Sequence, residues 1–291
     1  MTSIHIIETD FEPDDAIAIV SHASLNNGVS LIVVVGESKP NNKIKLVNEF
    51  FKVLIKKYPN AYTSIKIIQG LGSKKKFPVD EQYEIPVDSD EIILKNYIDA
   101  YACGPAFSFM MKPPREAMIV KLYCPNTVVY CYGSFNWRTL KMDTPSFIDL
   151  MSRYKTFYYF DSFTAIGAAN SGMFKFNSSP INDIIKGLIK LWNNHIINDC
   201  KKDLLTETNE KSIERIKKII TNVETDINEQ FVMADVCLFM CPLPTKQVEL
   251  IDINPYNKWN VSNTSNIFVF DENTENRREI LMSSINKLFT S

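Results

Sequence analysis

Glu8, Asp10, Glu12, Asp14 and Asp15 put five carboxylates within eight residues, in the stretch Glu8-Thr-Asp-Phe-Glu-Pro-Asp-Asp-Ala16. Charges of one sign at that density repel one another, so the turn that holds them needs a cation, a capping role or open solvent. Donors that are all oxygen favour a hard cation, Ca2+ or Mg2+, over zinc. The same residues also fit an acidic turn in which Asp14 or Asp15 caps a following helix through its first-turn N–H groups. The local sequence leaves both readings open.

The elements around this turn decide where it sits. Residues 3–9 form a short β-branched run, and Ala16-Ile-Ala-Ile-Val20 beyond the turn takes helical spacing. Residues 30–36 are apolar on both faces, as a strand covered by helices on both sides must be, and 43–57 follow with amphipathic helical periodicity. Two further buried runs, 65–69 and 127–132, end at Gly70 and Gly133. This alternation predicts an α/β fold with a mostly parallel open sheet, right-handed crossovers and helices on both faces. Asp10, Gly36, Gly70 and Gly133 then share the edge beyond the carboxyl ends of the strands, where such sheets hold ligands. Farther along, the pattern predicts helices over 181–195, 210–224, 229–241 and 275–289, a strand over 266–270, and a long loop over 71–90. With no internal repeat or Pro/Gly-rich linker, 1–291 reads as one domain.

Composition narrows the function classes. At 45% hydrophobic and 23% charged residues, the chain lies far from the composition of disordered segments. Thirty-two basic against 34 acidic side chains leave no basic field to gather nucleic acid. The first residues lack the pattern of a signal peptide, and every apolar run stops well short of the roughly 18 residues of a membrane span, so a cytoplasmic setting without membrane contact is expected. Six cysteines without a C-x-x-C pair are read as reduced and structural, and Lys74-Lys-Lys76 as a solvated patch. His5, His22 and His195 are read as structural or surface residues. Neither a P-loop, a G-x-G-x-x-G fingerprint, a G-x-S-x-G elbow nor a metal-spaced His pair occurs.

The acidic stretch resembles the amino-terminal signature of the calcium-dependent nucleoside hydrolases, the inosine-uridine-preferring N-ribohydrolases, in which a strand runs into Asp-x-Asp-x-x-x-Asp-Asp-Ala. Here Glu8 stands for the first Asp, and Asp10, Asp14, Asp15 and Ala16 match. Further pieces follow in family order: Val35-Gly36 with Asn48, Gln69-Gly70, Tyr132-Gly-Ser-Phe-Asn136 in place of a Gly-Pro-Leu-Thr-Asn turn, Phe174-Lys-Phe-Asn177, and Met233-Ala-Asp235. The resemblance implies a Ca2+ site on Asp10, Asp15, Asp235 and the backbone carbonyl of Asn136, with Asp10 also accepting a proton from the attacking water. It implies ribose contacts at Asp14, Glu37, Asn170, Lys175 and Asn177. The partner is a small ribosyl compound, and assembly into a homo-oligomer is left open.

Three departures bear on the chemistry. The His that helps the base depart is replaced by Ala234, which can neither donate a proton nor form a hydrogen bond. Glu37 stands where many members have Asn, adding a carboxylate that faces either the cation and ribose or solvent. Lys175 replaces the Glu that holds the ribose 5′-hydroxyl, which would suit a 5′-phosphate if the ammonium does not run to solvent. The expected activity is therefore calcium-dependent hydrolysis of an N-ribosyl bond at a divergent site. The alternatives are a weak or inactive member that binds ribose or a partner, and a hydrolase of a phosphorylated or larger ribosyl compound.

Overall fold

The computed structural model describes residues 2–38, 40–73, 90–133, 143–161, 177–225, 235–252, 258–270 and 277–290. From the amino terminus the elements are β1 (Ile4–Thr9), α1 (Pro13–Leu25), β2 (Val29–Ser38), α2 (Pro40–Lys57), β3 (Tyr62–Ser73), α3 (Asp90–Tyr101), β4 (Ala106–Met110), α4 (Arg115–Ile119) and β5 (Val128–Gly133). After these come α5 (Thr144–Ser152), β6 (Thr156–Asp161), α6 (Pro180–Asp203), α7 (Glu210–Thr225), α8 (Cys237–Met240), β7 (Lys246–Asp252), β8 (Lys258–Val261), β9 (Ile267–Val269) and α9 (Arg277–Thr290).

The strands form one sheet in the order β3-β2-β1-β4-β5-β6-β9-β7-β8. Every pairing from β3 to β9 is parallel, and β7 is antiparallel to both of its neighbours. The expectation of a mostly parallel open sheet is met, with an antiparallel margin added at one side.

β2 shows why the chain needs helices on both faces. Leu31, Val33 and Val35 enter one buried cluster with α1, α2 and Leu188 of α6, whereas Ile32 and Val34 enter a second with Tyr97 and Tyr101 of α3 and Phe147 of α5. Side chains alternate across a strand, so a run apolar at every position is stable only between two apolar layers.

Several boundaries differ from the sequence reading. β3 extends to Ser73, so 71–73 belong to a strand rather than to the expected loop. Residues 74–89 lie outside the described residues, and α3 begins at Asp90. Of the helix expected over 229–241, the described part is only Cys237–Met240. β4, with sequence Ala-Phe-Ser-Phe-Met, was not expected at all, because Ser108 interrupts its apolar run within five residues. All six cysteines are free, and no helix among the described residues is long and apolar enough to cross a membrane.

Candidate functional site

Chain order reverses between β1 and β4: β2 and β3 are laid down on one side of β1, and β4, β5 and β6 on the other. At such a switch point the loops leaving the two central strands part to opposite faces and open a crevice beyond the strand ends. The register puts Thr9 beside Val35, Val35 beside Gln69, and Glu8 beside Met110. Continued by one or two residues, it sets Gly70, Gly36, Asp10 and Lys112 in one row across the mouth of that crevice.

The acidic turn is shaped by burial of its one apolar residue. Phe11 takes a left-handed φ of 55°, and its ring is fully buried, edge-on to Phe50 at 5.3 Å. That conformation costs on the order of 1–2 kcal/mol, and burying the ring returns about 2–3 kcal/mol, so the turn holds. The Phe11 N–H donates to Thr9 Oγ1 at 2.9 Å, and Thr9 Oγ1 in turn donates to Asp15 Oδ2 at 2.6 Å. Pro13 starts α1, and the Glu12 N–H donates to Asp15 Oδ2 at 3.4 Å, so Asp15 does part of the work of a helix cap.

Capping does not account for the whole carboxylate. Asp14, Asp15 and Asp235 each offer an oxygen within 4.8 Å of the others, the only such acidic group among the described residues. Asp15 and Asp235 are buried and Asp14 is partly exposed. Asp15 Oδ1 and Asp235 Oδ1 are both buried without a hydrogen-bond partner, and the two carboxyl groups lie close enough to hydrogen-bond each other when one is protonated. Burial, then the charge of Asp10, pushes Asp15 well above the usual carboxylate range. Burial, then Asp15, does the same to Asp235. Oxygen-only donors gathered within 4.8 Å of one another fit a hard divalent cation such as calcium, which would relieve their repulsion.

Asp10, expected among the ligands, is not a member of this group. It is partly exposed, and its backbone carbonyl accepts from the buried ammonium of Lys43. Glu37, at the end of β2, has a left-handed φ of 62° and lies 3.9 Å from Arg115 Nη1. Burial raises its carboxyl above the ordinary range against the opposing charges of Lys112 and Arg115. Asn177 is exposed; its N–H donates to the Phe289 carbonyl, and its own carbonyl accepts from Asn182 Nδ2 at 2.8 Å. Asn136, Asn170, Lys175 and Ala234 lie outside the described residues. β4 stands between β5 and β1, so the strand end beside Asp10 is that of β4, running into Lys112.

The chain is similar to two solved nucleoside hydrolases. One is an inosine-guanosine nucleoside hydrolase, with 13% identity, a TM-score of 0.37 and 99% of both chains covered. The other is the plant nucleoside hydrolase PpNRh1, with 13% identity, a TM-score of 0.42 and 100% of both chains covered. No protein-family model and no curated protein sequence matches the chain.

Sequence reasoning missed the polar network beneath the crevice. Glu8, Lys112 and Glu116 are buried together, with Lys112 Nζ 2.6 Å from Glu116 Oε2 and 3.2 Å from Glu8 Oε2. Tyr97 donates to Glu8 Oε1 at 2.7 Å, as does Tyr101, whose hydroxyl also meets Ser108 Oγ. Burial alone would lower the Lys112 pKa, but Glu116 and Glu8 outweigh it and hold the ammonium charged. Glu8, counterpart of the first Asp in the signature, thus faces a lysine and two tyrosines. Lys112-x-x-x-Glu116, directly after an apolar run, is the one local signal that could have pointed to this network.

Proposed function

We propose that the protein hydrolyses an N-ribosyl bond with the help of calcium. The observation that carries this reading is the convergence of Asp14 and Asp15 with Asp235, which is remote in sequence, at the carboxyl end of β1, with buried oxygens left unpartnered. The acidic signature from Asp10 to Ala16 supports it. Asp14, Asp15 and Asp235 would hold the cation, which supplies Lewis acidity toward water and ribose hydroxyls.

Asp10 stands next to this group and outside it, which leaves its carboxylate available to accept the proton of the attacking water. The water oxygen bonds to the anomeric carbon, the bond to the base breaks, and its electron pair leaves with the base. Asp14, the partly exposed member, would accept a hydrogen bond from a ribose hydroxyl. With alanine at 234, the departing base receives no proton from that position. Loss of general acid help costs on the order of 10²–10⁴ in rate, so good leaving groups are favoured.

The test is hydrolysis of nitrophenyl riboside beside inosine and uridine, with calcium binding followed by calorimetry. We expect calcium to bind, the activated riboside to be cleaved, natural nucleosides to turn over slowly, and Asp10→Asn to abolish cleavage. Absence of calcium binding would remove the reading. Calcium binding without turnover of the activated riboside would favour a ribose-binding protein instead.

A further inference from the structure

The reaction just outlined leaves the Glu8–Lys112–Glu116 network without a task, although it is the largest buried ionic group among the described ion pairs. We infer that Lys112 is a positioning residue for Asp10: it braces four neighbouring strand ends at the switch point and fixes where β1 releases its catalytic carboxylate. This rests on the reading of Asp10 as the proton acceptor.

The path of the side chain is the first observation. The Met111 N–H donates to the Glu8 carbonyl at 2.9 Å, continuing the β1–β4 ladder one step past its last paired residues and bringing Lys112 level with Asp10. A Cβ added to Gly36 would lie 2.6 Å from Lys112 Cε and 2.8 Å from Cδ. Gly36 is in β2, on the far side of β1 from β4. The lysine stem therefore crosses β1 at the level of Asp10 and lies directly against the open face of Gly36.

The second observation is what the brace grips. Lys112 Nζ holds Glu116 Oε2, and Glu116 Oε1 accepts from the Leu71 N–H of β3 at 2.7 Å. A Cβ on Gly70 would meet that same Oε1 at 2.4 Å. On the β1 side, Lys112 meets Glu8, two residues before Asp10, and Tyr97 and Tyr101 of α3 fix the other carboxylate oxygen. The Lys112 side chain thus joins Glu8 of β1 to Glu116, its stem lies against Gly36 of β2, and Glu116 carries the link on to Leu71 of β3. Carboxylates and a lysine taken out of water are costly companions, and a less polar core would stabilise the fold as well or better. What the network supplies is a fixed geometry, and a displacement of about 1 Å at a reacting group can cost ~100-fold in rate.

The test uses Lys112→Met and the double variant Lys112→Met/Glu116→Gln in the full chain. The single variant leaves Glu8 and Glu116 without their counterion and is expected to melt lower. The double variant leaves one buried carboxylate, that of Glu8, held by Tyr97 and Tyr101, and is expected to recover part of the lost melting temperature. It should nevertheless cleave nitrophenyl riboside at least ~10-fold more slowly in kcat, with KM and calcium affinity within about twofold of wild type. A brace with only a structural role would return kcat together with the melting temperature, and that result would overturn the inference. Amide hydrogen exchange gives a readout without turnover: exchange at Phe11 and Glu12 is expected to quicken in the double variant while that of α6 stays unchanged. If the wild type binds calcium and cleaves nothing, the proposed reaction fails, and the exchange at Phe11 and Glu12 still decides the brace. Unchanged exchange there sinks it.

Discussion

Lowering the pH from 7 to 5 should weaken the fold through two histidines that take no part in the site. His5 Nδ1 and His22 Nε2 lie 2.8 Å apart, and His22 Nδ1 lies 2.8 Å from the Tyr62 hydroxyl. Around them stand Phe107, Phe109 and Phe239, and among the described residues no carboxylate forms an ion pair with either ring. Burial lowers His5 from 6.5 to about 4. Burial, then the charge of His5, lowers His22 to about 3. Both folded-state values lie below that of the unfolded chain, so below pH 6.5 the unfolded state binds more protons. The stabilisation is present near neutral pH and is lost as pH falls from 6.5 toward 4. Integrated from pH 7 to 5, each ring contributes about 2 kcal/mol of destabilisation, about 4 kcal/mol together, or about 6 °C for a chain of this length. Asp15 and Asp235 act in the opposite direction, since their raised values favour the folded state as pH falls. Urea unfolding at the two pH values should therefore be compared between wild type and His5→Gln/His22→Gln, in which the carboxylate contribution cancels. The wild type is expected to lose about 4 kcal/mol more than the variant. Equal losses would refute the argument.

Calcium binding should release protons: Asp15 and Asp235 are pushed above the usual carboxylate range by burial, so calcium has to displace protons from them, and its affinity should fall as pH drops. Calorimetry in buffers of different ionisation enthalpy measures the protons released, and release of none would count against the cluster as the ligand set. Gly133→Ala should destabilise the fold by about 1–3 kcal/mol, because the added methyl would lie 2.0 Å from the Tyr159 ring; a urea midpoint equal to wild type would contradict that packing.

Some of this protein was written plainly in its sequence. A strand apolar on both faces, as in 30–36, admits few environments other than the middle of a covered sheet, so the fold class could be read from local pattern alone. The acidic turn was legible for a similar reason: five carboxylates in eight residues are too costly to pass as background. The helix that follows was legible from Pro13 and the apolar spacing beyond it.

Other features depended on neighbours that sequence order does not reveal. β4 is five residues long and carries a serine, and it becomes a strand because β1 and β5 offer it edges on both sides. With β4 unseen, Lys112 had no place beside Asp10, and the strand order that opens the crevice there could not be derived. The membership of the acidic cluster was decided the same way: Asp235, remote in sequence, joins Asp14 and Asp15 only once the chain is folded. Glu8 shows the limit most clearly, since the residue that stands for the first Asp of the signature is here neutralised by a lysine 104 positions away. Local periodicity fixes which residues must be buried, whereas the partner of a buried charge is fixed only when distant segments meet.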